Sequence, residues 1–425
     1  MEASTITLII IGAALILYIT DAVPVAVTSI IACLALAIFG VVPFASAFAG
    51  FGNDMVFLIA GMLVVGAALF ETGAAQILGE KIIAVVGTSE KKFVIVLILV
   101  ATIPAAFLSN TAAMAMMLPV ASAAVAASKG RFLKKNTYMV IGIAAVTSGG
   151  LTLVGSTPQL IAQSALIEGG HNTMAFFELS LAGGPVILLL LVYYLTVGHV
   201  MQKKVFTFPE IPDTGSSEAQ AAETAAGRST VKMYISACVL VFCIIGFISG
   251  LWSIGVVAMT GAMICIVTGC ITLQKAYAGM DWTTVIVIAC SLGISAGLHQ
   301  SGAGMLIART VVNLLGDSVS PWLLCAALAF VTVILGNFMS STATAALLVP
   351  IAISVALSFG VDVKSVVMSV VIAANISYAT PVSTPPMTMT LSAGYRFMDY
   401  VKFGGLFNLL AYILVVLLFP FILNI

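Results

Sequence analysis

Charged side chains are scarce in this chain. They make up 8% of its 425 residues, with 16 Lys or Arg, 16 Asp or Glu and 3 His. A soluble domain carries roughly 25%, so too few charges exist to cover a water-facing surface, and most of the surface must face lipid. The zero net charge gives no electrostatic footprint for nucleic acid. The seven cysteines (33, 238, 243, 265, 270, 290 and 325) are scattered through apolar segments, with the spacing of neither a disulfide framework nor a metal site. No Ser-His-Asp set, HExxH or GxxxxGK appears, which argues against an enzyme or a nucleotide-driven pump. The start, Met-Glu-Ala-Ser-Thr, has no basic n-region, so the first apolar segment is expected to be retained as a helix.

Apolar runs are what the chain has in abundance, 61% of it being hydrophobic. A helix needs about 20 apolar residues to span a bilayer. Spanning segments are expected at 5–20, 24–42, 55–72, 137–166, 180–201, 233–250, 252–272, 283–299, 364–394 and 403–423. Two longer stretches, 93–128 and 320–359, each hold room for two arms and are broken near the middle by a polar cluster with a proline nearby. Segments 76–88 and 303–316 mix polar and apolar residues as interfacial amphipathic helices do. Residues 202–232, rich in Pro, Gly, Ser, Ala and Glu, read as a flexible linker between a first unit (1–201) and a second (233–425).

The two units repeat. Residues 109–119 read SNTAAMAMMLP and 340–350 read SSTATAALLVP; Ser156-Thr157-Pro158-Gln159 matches Ser383-Thr384-Pro385-Pro386; Glu71-Thr72-Gly73-Ala74 matches Gln300-Ser301-Gly302-Ala303. The matches keep their order at offsets of 231, 227 and 229 residues. Charge sets the orientation, because Lys and Arg favour the cytoplasmic side. With both termini outside and 93–128 turning back to the inside, 14 of the 16 basic residues fall inside, and only Arg309 and Lys364 fall outside. The second hairpin, 320–359, then opens outward. The expectation is an all-α polytopic membrane protein of two inverted repeats, each with about five transmembrane helices and one re-entrant hairpin, as in secondary transporters.

Non-helical backbone survives at membrane depth only where it lines a cavity or is buried in protein. Ser109-Asn110-Thr111 and Ser340-Ser341-Thr342 each precede a helix-forming run and are strong N-cap residues. Their free N–H groups and the positive ends of the helix dipoles suit anions without a basic side chain. Thr147 to Gly150 with Gly155-Ser156-Thr157-Pro158, and Ser377 to Pro386, form a second pair of breaks, with prolines suited to a restarting helix. Four helix N-termini are thus expected around one cavity, with hydroxyl, amide and carbonyl oxygens to cage Na⁺. Alone, a Ser-Asn-Thr in a membrane helix is usually helix–helix glue. Its recurrence at corresponding positions of two halves favours a site. No ionisable residue falls within either motif pair, which disfavours a proton relay. Glu71 and His299 lie near helix ends and are expected at the interface.

These motifs make the chain resemble the divalent anion/sodium symporter family over nearly its whole length. The resemblance implies homodimers with a fixed scaffold and an elevator-like transport unit in the inner (plasma) membrane. It implies that Ser109, Asn110, Thr111, Ser156, Thr157, Ser340, Ser341, Thr342, Thr384 and Pro385 contact a carboxylate substrate. A first Na⁺ site would be formed by Ser109, Asn110 and Gly155, and a second by Gly336, Met339, Ser341 and Ser383. Na⁺ would be the coupling ion, with no other cofactor. The sequence departs from the family pattern at Ser341, where the family has Asn, at Thr157-Pro158 in place of Pro-Pro, and at Gln159 and Met387 in place of an Asn. An Asn offers both an acceptor and a donor; Asn337 and Asn375 are the candidates to supply what Ser341 lacks. The expected function is Na⁺-coupled transport of a di- or tricarboxylate such as succinate, malate or citrate. The alternatives are an anion exchanger, a carrier of another oxyanion such as sulfate, and an anion channel.

Overall fold

The computed structural model describes residues 2–20, 22–73, 89–128, 132–209, 230–249, 251–280, 282–304, 306, 320–381 and 383–423. The amphipathic helix expected at 76–88, nearly all of the one at 303–316 and the centre of the linker, 210–229, lie outside them. Among the described residues all regular structure is helical.

The first half runs α1 (Ala3–Thr20), α2 (Val25–Ile38), α3 (Asp54–Glu71), α4 (Glu90–Phe107), α5 (Asn110–Ala127), α6 (Lys134–Gly149), α7 (Thr157–Glu168) and α8 (Ser180–Tyr193), which continues as a helical run to Val205. The second half runs α9 (Thr230–Ser249), α10 (Ile254–Val267), α11 (Trp282–Gln300), α12 (Pro321–Phe338), α13 (Ser341–Phe359), α14 (Val363–Ala374), the short α15 (Pro385–Met389) and α16 (Gly405–Ile422). Five helical runs among the described residues are long and apolar enough to cross a membrane: 180–205, 230–247, 321–338, 341–359 and 397–422. Apolar side chains are exposed on the outside as well as buried in the core. Ile38 and Val267 are 77% and 84% exposed, whereas Ser148, Gln159 and Ser383 are fully buried.

The breaks follow from local chemistry. α4 ends one turn after Pro104, where Leu108 turns extended, and Ser109 Oγ caps α5 by accepting from Ala112 N at 3.2 Å. α12 ends at Met339, also extended, and Ser340 Oγ caps α13 by accepting from Ala343 N at 3.1 Å. In the second pair of breaks α7 and α15 start from Ser156 and Thr384, whose backbone angles agree within a degree (φ −148°, ψ 149° and φ −148°, ψ 148°), with proline in the first turn of both. The structural register therefore pairs Ser156 with Thr384, one residue on from the sequence match of Ser156 with Ser383.

Packing repeats the same pattern. α6 lies against both α4 and α5, and α14 against both α12 and α13. The halves also exchange partners: α2 packs on α11 and α10 on α3, while α5 meets α15 and α13 meets α7. Gly61 of α3 sits so close to α10 that a Cβ there would lie 2.5 Å from the Ala258 carbonyl carbon. Small residues permit such approach where lipid supplies no hydrophobic drive between helices. The hairpin arms hold 18 or 19 residues each. At 1.5 Å per residue each arm is about 27 Å long, much more than half of a bilayer core.

Candidate functional site

The four breaks meet at one cavity of about 280 Å³. Its polar wall is Ser109, Asn110 and Thr111 from the start of α5, Ser156 and Thr157 from α7, Ser340, Ser341 and Thr342 from α13, and Thr384 and Pro385 from α15, together with Gly155 and Pro386. The N-terminal ends of α5, α7, α13 and α15 thus face a common space. α15 has only five residues, so its dipole adds least. None of the lining residues carries an ionisable side chain. The opposite wall is apolar: Ile59, Met62 and Leu63 of α3, with Thr283 of α11 as its polar member. Sequence reasoning missed this wall. α3 reads as an ordinary apolar span, and only packing turns that face toward the breaks.

Asn110 is the most constrained residue of the polar wall. Its side chain lies 3.0 Å from the carbonyl oxygens of both Ala145 and Gly155, and with Nδ2 toward them it donates to both. Gly149 makes room, since a Cβ there would lie 2.1 Å from the Asn110 amide atom that meets those two carbonyls, Nδ2 in this orientation. Gly155 is equally tight: its Cβ would sit 2.5 Å from the Gly149 carbonyl oxygen. Gln159 Nε2 donates to that same Gly149 carbonyl at 2.9 Å, which ties the break to α7. Sequence reasoning named Gln159 only as a departure, yet it holds the first break together.

The second half is built differently. Ser341 N donates to the Ser383 carbonyl at 3.2 Å. Ser383 is fully buried and does not line the cavity; its one hydroxyl proton is shared between the carbonyls of Ser377 (2.8 Å) and Thr380 (3.0 Å). Gly336, Met339 and Ser383, assigned by resemblance to a second Na⁺ site, do not line the cavity. Nor does either compensating Asn. Asn337 spends its side chain on Val333 O (2.7 Å) and Ala379 N (2.8 Å), and Asn375 faces a separate, smaller cavity. Thr384 does line the cavity, and its buried Oγ1 has no hydrogen-bond partner within the protein.

The ends of the molecule carry the ionic contacts. Lys275 pairs with Glu71, and Lys364 with Glu178 at 2.6 Å, each bridging the two halves. Beyond the apolar stretch of α7, burial raises the Glu168 carboxyl above its usual range, partly opposed by Asn53 Nδ2, 3.4 Å from its oxygen. The side chain of His299 lies outside the described residues.

Residues 15–365 match the family model described as citrate transporter, and a second match of the same model covers 253–424. An uncharacterized transporter of Haemophilus influenzae is 28% identical over 417 residues, covering 94% of this chain and 88% of that protein. The sodium-dependent dicarboxylate transporter SdcS of Staphylococcus aureus is 22% identical over 449 residues, covering 96% and 84%. Among solved structures, the Alcanivorax borkumensis YdaH transporter superposes with a TM-score of 0.62 at 14% identity, covering 89% of this chain and 87% of that one. Neisseria gonorrhoeae MtrF, described as an antimetabolite efflux pump, gives 0.60 at 13%, covering 99% and 94%. At these identities the two structures speak to the fold alone.

Proposed function

This chain belongs to the citrate transporter family and is a multi-pass membrane transporter; from that premise we propose that it carries small di- and tricarboxylate anions with Na⁺ by an elevator movement of two inverted repeats. The observation that carries the reading is one cavity faced by four helix N-termini, with polar groups and no basic side chain. Such a cavity stabilises carboxylates through backbone N–H groups and dipoles. Thr384 Oγ1, otherwise without a partner, is available to donate to substrate. Ser109, Thr111, Ser156, Thr157, Ser340 and Thr342 supply further hydroxyls.

Na⁺ enters this reading through Asn110. Turned over, its amide would put three oxygens, Oδ1 and the carbonyls of Ala145 and Gly155, around one point. Three converging acceptors repel one another unless a cation sits among them. The amide then donates within the protein when the site is empty and accepts at the ion when it is filled, which links Na⁺ to the start of α5. The relative SdcS is a sodium-dependent dicarboxylate transporter by name, which supports the same coupling and substrate class. The same proposal has the protein act in the plasma membrane as a homodimer, with both termini outside and re-entrant hairpins 93–128 and 320–359 as gates.

A second reading has a specific observation behind it. The Ser383 hydroxyl and the Asn337 amide are committed to the protein's own backbone, so beyond the hairpin tip the second half offers few side-chain oxygens to an ion. That favours exchange of carboxylates, or carriage of an oxyanion such as sulfate, without Na⁺. Reconstitution into liposomes separates the readings. Labelled succinate or citrate uptake is expected to saturate and to rise with an inward Na⁺ gradient. Uptake that ignores Na⁺ and needs an internal anion would select the exchanger. Ohmic, unsaturated current would replace both with a channel.

A further inference from the structure

The helical runs 180–205 and 397–422 pack on each other, and the end of the first, His199–Val205, lies against Tyr400–Gly404 of the second. Aromatic rings fix this joint. The buried Phe206 ring sits 5.4 Å from Phe403 and 4.9 Å from Tyr395, centroid to centroid. Phe208 lies 5.7 Å from Tyr395, and Lys135 Nζ donates to the Phe208 carbonyl at 2.6 Å.

Four exposed cations stand around the joint: Lys203, Lys204, Arg396 and Lys402. Among the described residues none of them pairs with an acid. Two acids stand near, Glu90 beside Tyr194 and His199, and the buried Asp399. Both are engaged, since Glu90 accepts from Asn136 Nδ2 at 2.9 Å and Asp399 from Arg396 N at 2.8 Å. The cluster therefore keeps an excess of positive charge. Apolar surface adjoins it directly. The exposed Val200 shares a helix face with Lys203 and Lys204, three and four residues on. Phe397, Met398 and Val401, between Arg396 and Lys402, are exposed, while Asp399, Tyr400 and Phe403 turn inward. In a membrane such apolar surface is covered by acyl chains, and the long basic side chains reach to the headgroups. None of the four cations lines the transport cavity.

We propose that this cluster binds the headgroup of an anionic phospholipid such as phosphatidylglycerol, with the acyl chains along Val200, Phe397, Met398 and Val401. Arg396 offers the phosphate a two-pronged donor, and the lysines add point charges. Basic pockets between membrane helices suit acidic lipids for this reason. The assignment stands whatever the cavity carries.

Native mass spectrometry of the full chain in detergent, with equimolar phosphatidylglycerol and phosphatidylcholine of identical acyl chains, tests it. One basic side chain near an anionic headgroup contributes about fivefold in affinity, so the four together should favour phosphatidylglycerol on the order of a hundredfold. Lys204→Gln/Lys402→Gln should cut that preference about twentyfold, and Lys204→Arg/Lys402→Arg should keep it. Lys92→Gln/Lys232→Gln removes as much charge from exposed lysines elsewhere and should leave the preference unchanged. Equal losses in the two Gln pairs would mean diffuse attraction to net charge, and a parent without preference would mean no lipid site; either overturns the inference. Glycerol phosphate at the lipid concentration should not displace the lipid. If it does, the cluster takes a soluble phosphate and the inference falls. A preference that appears only once Glu210, Asp213, Glu218 and Glu223 are changed to Gln would mean that the chain's own linker covers the cluster, which also overturns it.

Discussion

Gly149 and Asn110 are fitted to one another: a single methyl on Gly149 would come within 2.1 Å of the Asn110 side-chain amide. A residue at the end of α6 therefore decides whether the first residue of α5 can reach the carbonyls of Ala145 and Gly155. Gly149→Ala is expected to displace Asn110 and cost about 1–3 kcal/mol through overpacking. Asn110→Ala should abolish Na⁺-driven uptake while leaving a monodisperse, folded protein. Uptake that persists in Asn110→Ala with unchanged Na⁺ dependence would show that the coupling ion binds elsewhere.

Thr384→Val separates a substrate contact from a structural one. The hydroxyl has no partner within the protein, so its loss should leave thermal stability unchanged. A hydrogen bond to a charged group contributes about 1.5–3 kcal/mol, so the KM for a carboxylate should rise on the order of tenfold to a hundredfold. A stable variant with the parental KM would remove Thr384 from the substrate contacts.

Ser341→Asn addresses the asymmetry between the halves. Ser341 opens α13 as Asn110 opens α5, but it reaches across only with its backbone N–H, to Ser383 O. Restoring the amide should steepen the Na⁺ dependence of uptake, read as a larger Hill coefficient. An unaltered coefficient would mean that the second tip takes no ion even with the amide present.

Glu168 gives a pH dependence. Burial raises its carboxyl above the ordinary 4.5, so the folded state holds the proton more tightly than the unfolded chain does. The resulting stabilisation is complete below 4.5 and is lost as pH rises through the folded value. Glu168→Gln is neutral throughout. Its melting temperature relative to the parent should therefore increase as pH rises across that window. A constant difference would mean that Glu168 titrates as a solvated carboxylate.

The one-dimensional pattern was enough for the helical character and for the places where helices stop. Pro104 before Ser109-Asn110-Thr111, and Ser-Thr-Pro restarts after glycine or asparagine, act through nearest neighbours, so they can be read without a fold. The family resemblance was legible for the same reason, because the motifs sit at those stops. What needed the tertiary structure was every choice between equivalent partners. Ser341 N–H bonds Ser383, Asn337 is spent on Val333 and Ala379, and Asn375 faces the small cavity instead of the large one. No sequence pattern distinguishes a free amide from a committed one, because its partner lies up to 42 residues away in the chain. The apolar wall of Ile59, Met62 and Leu63 is of the same kind. In a membrane nearly every helix face is apolar, so hydrophobicity cannot mark which face looks inward, and only the packing of α3 against its neighbours decides it.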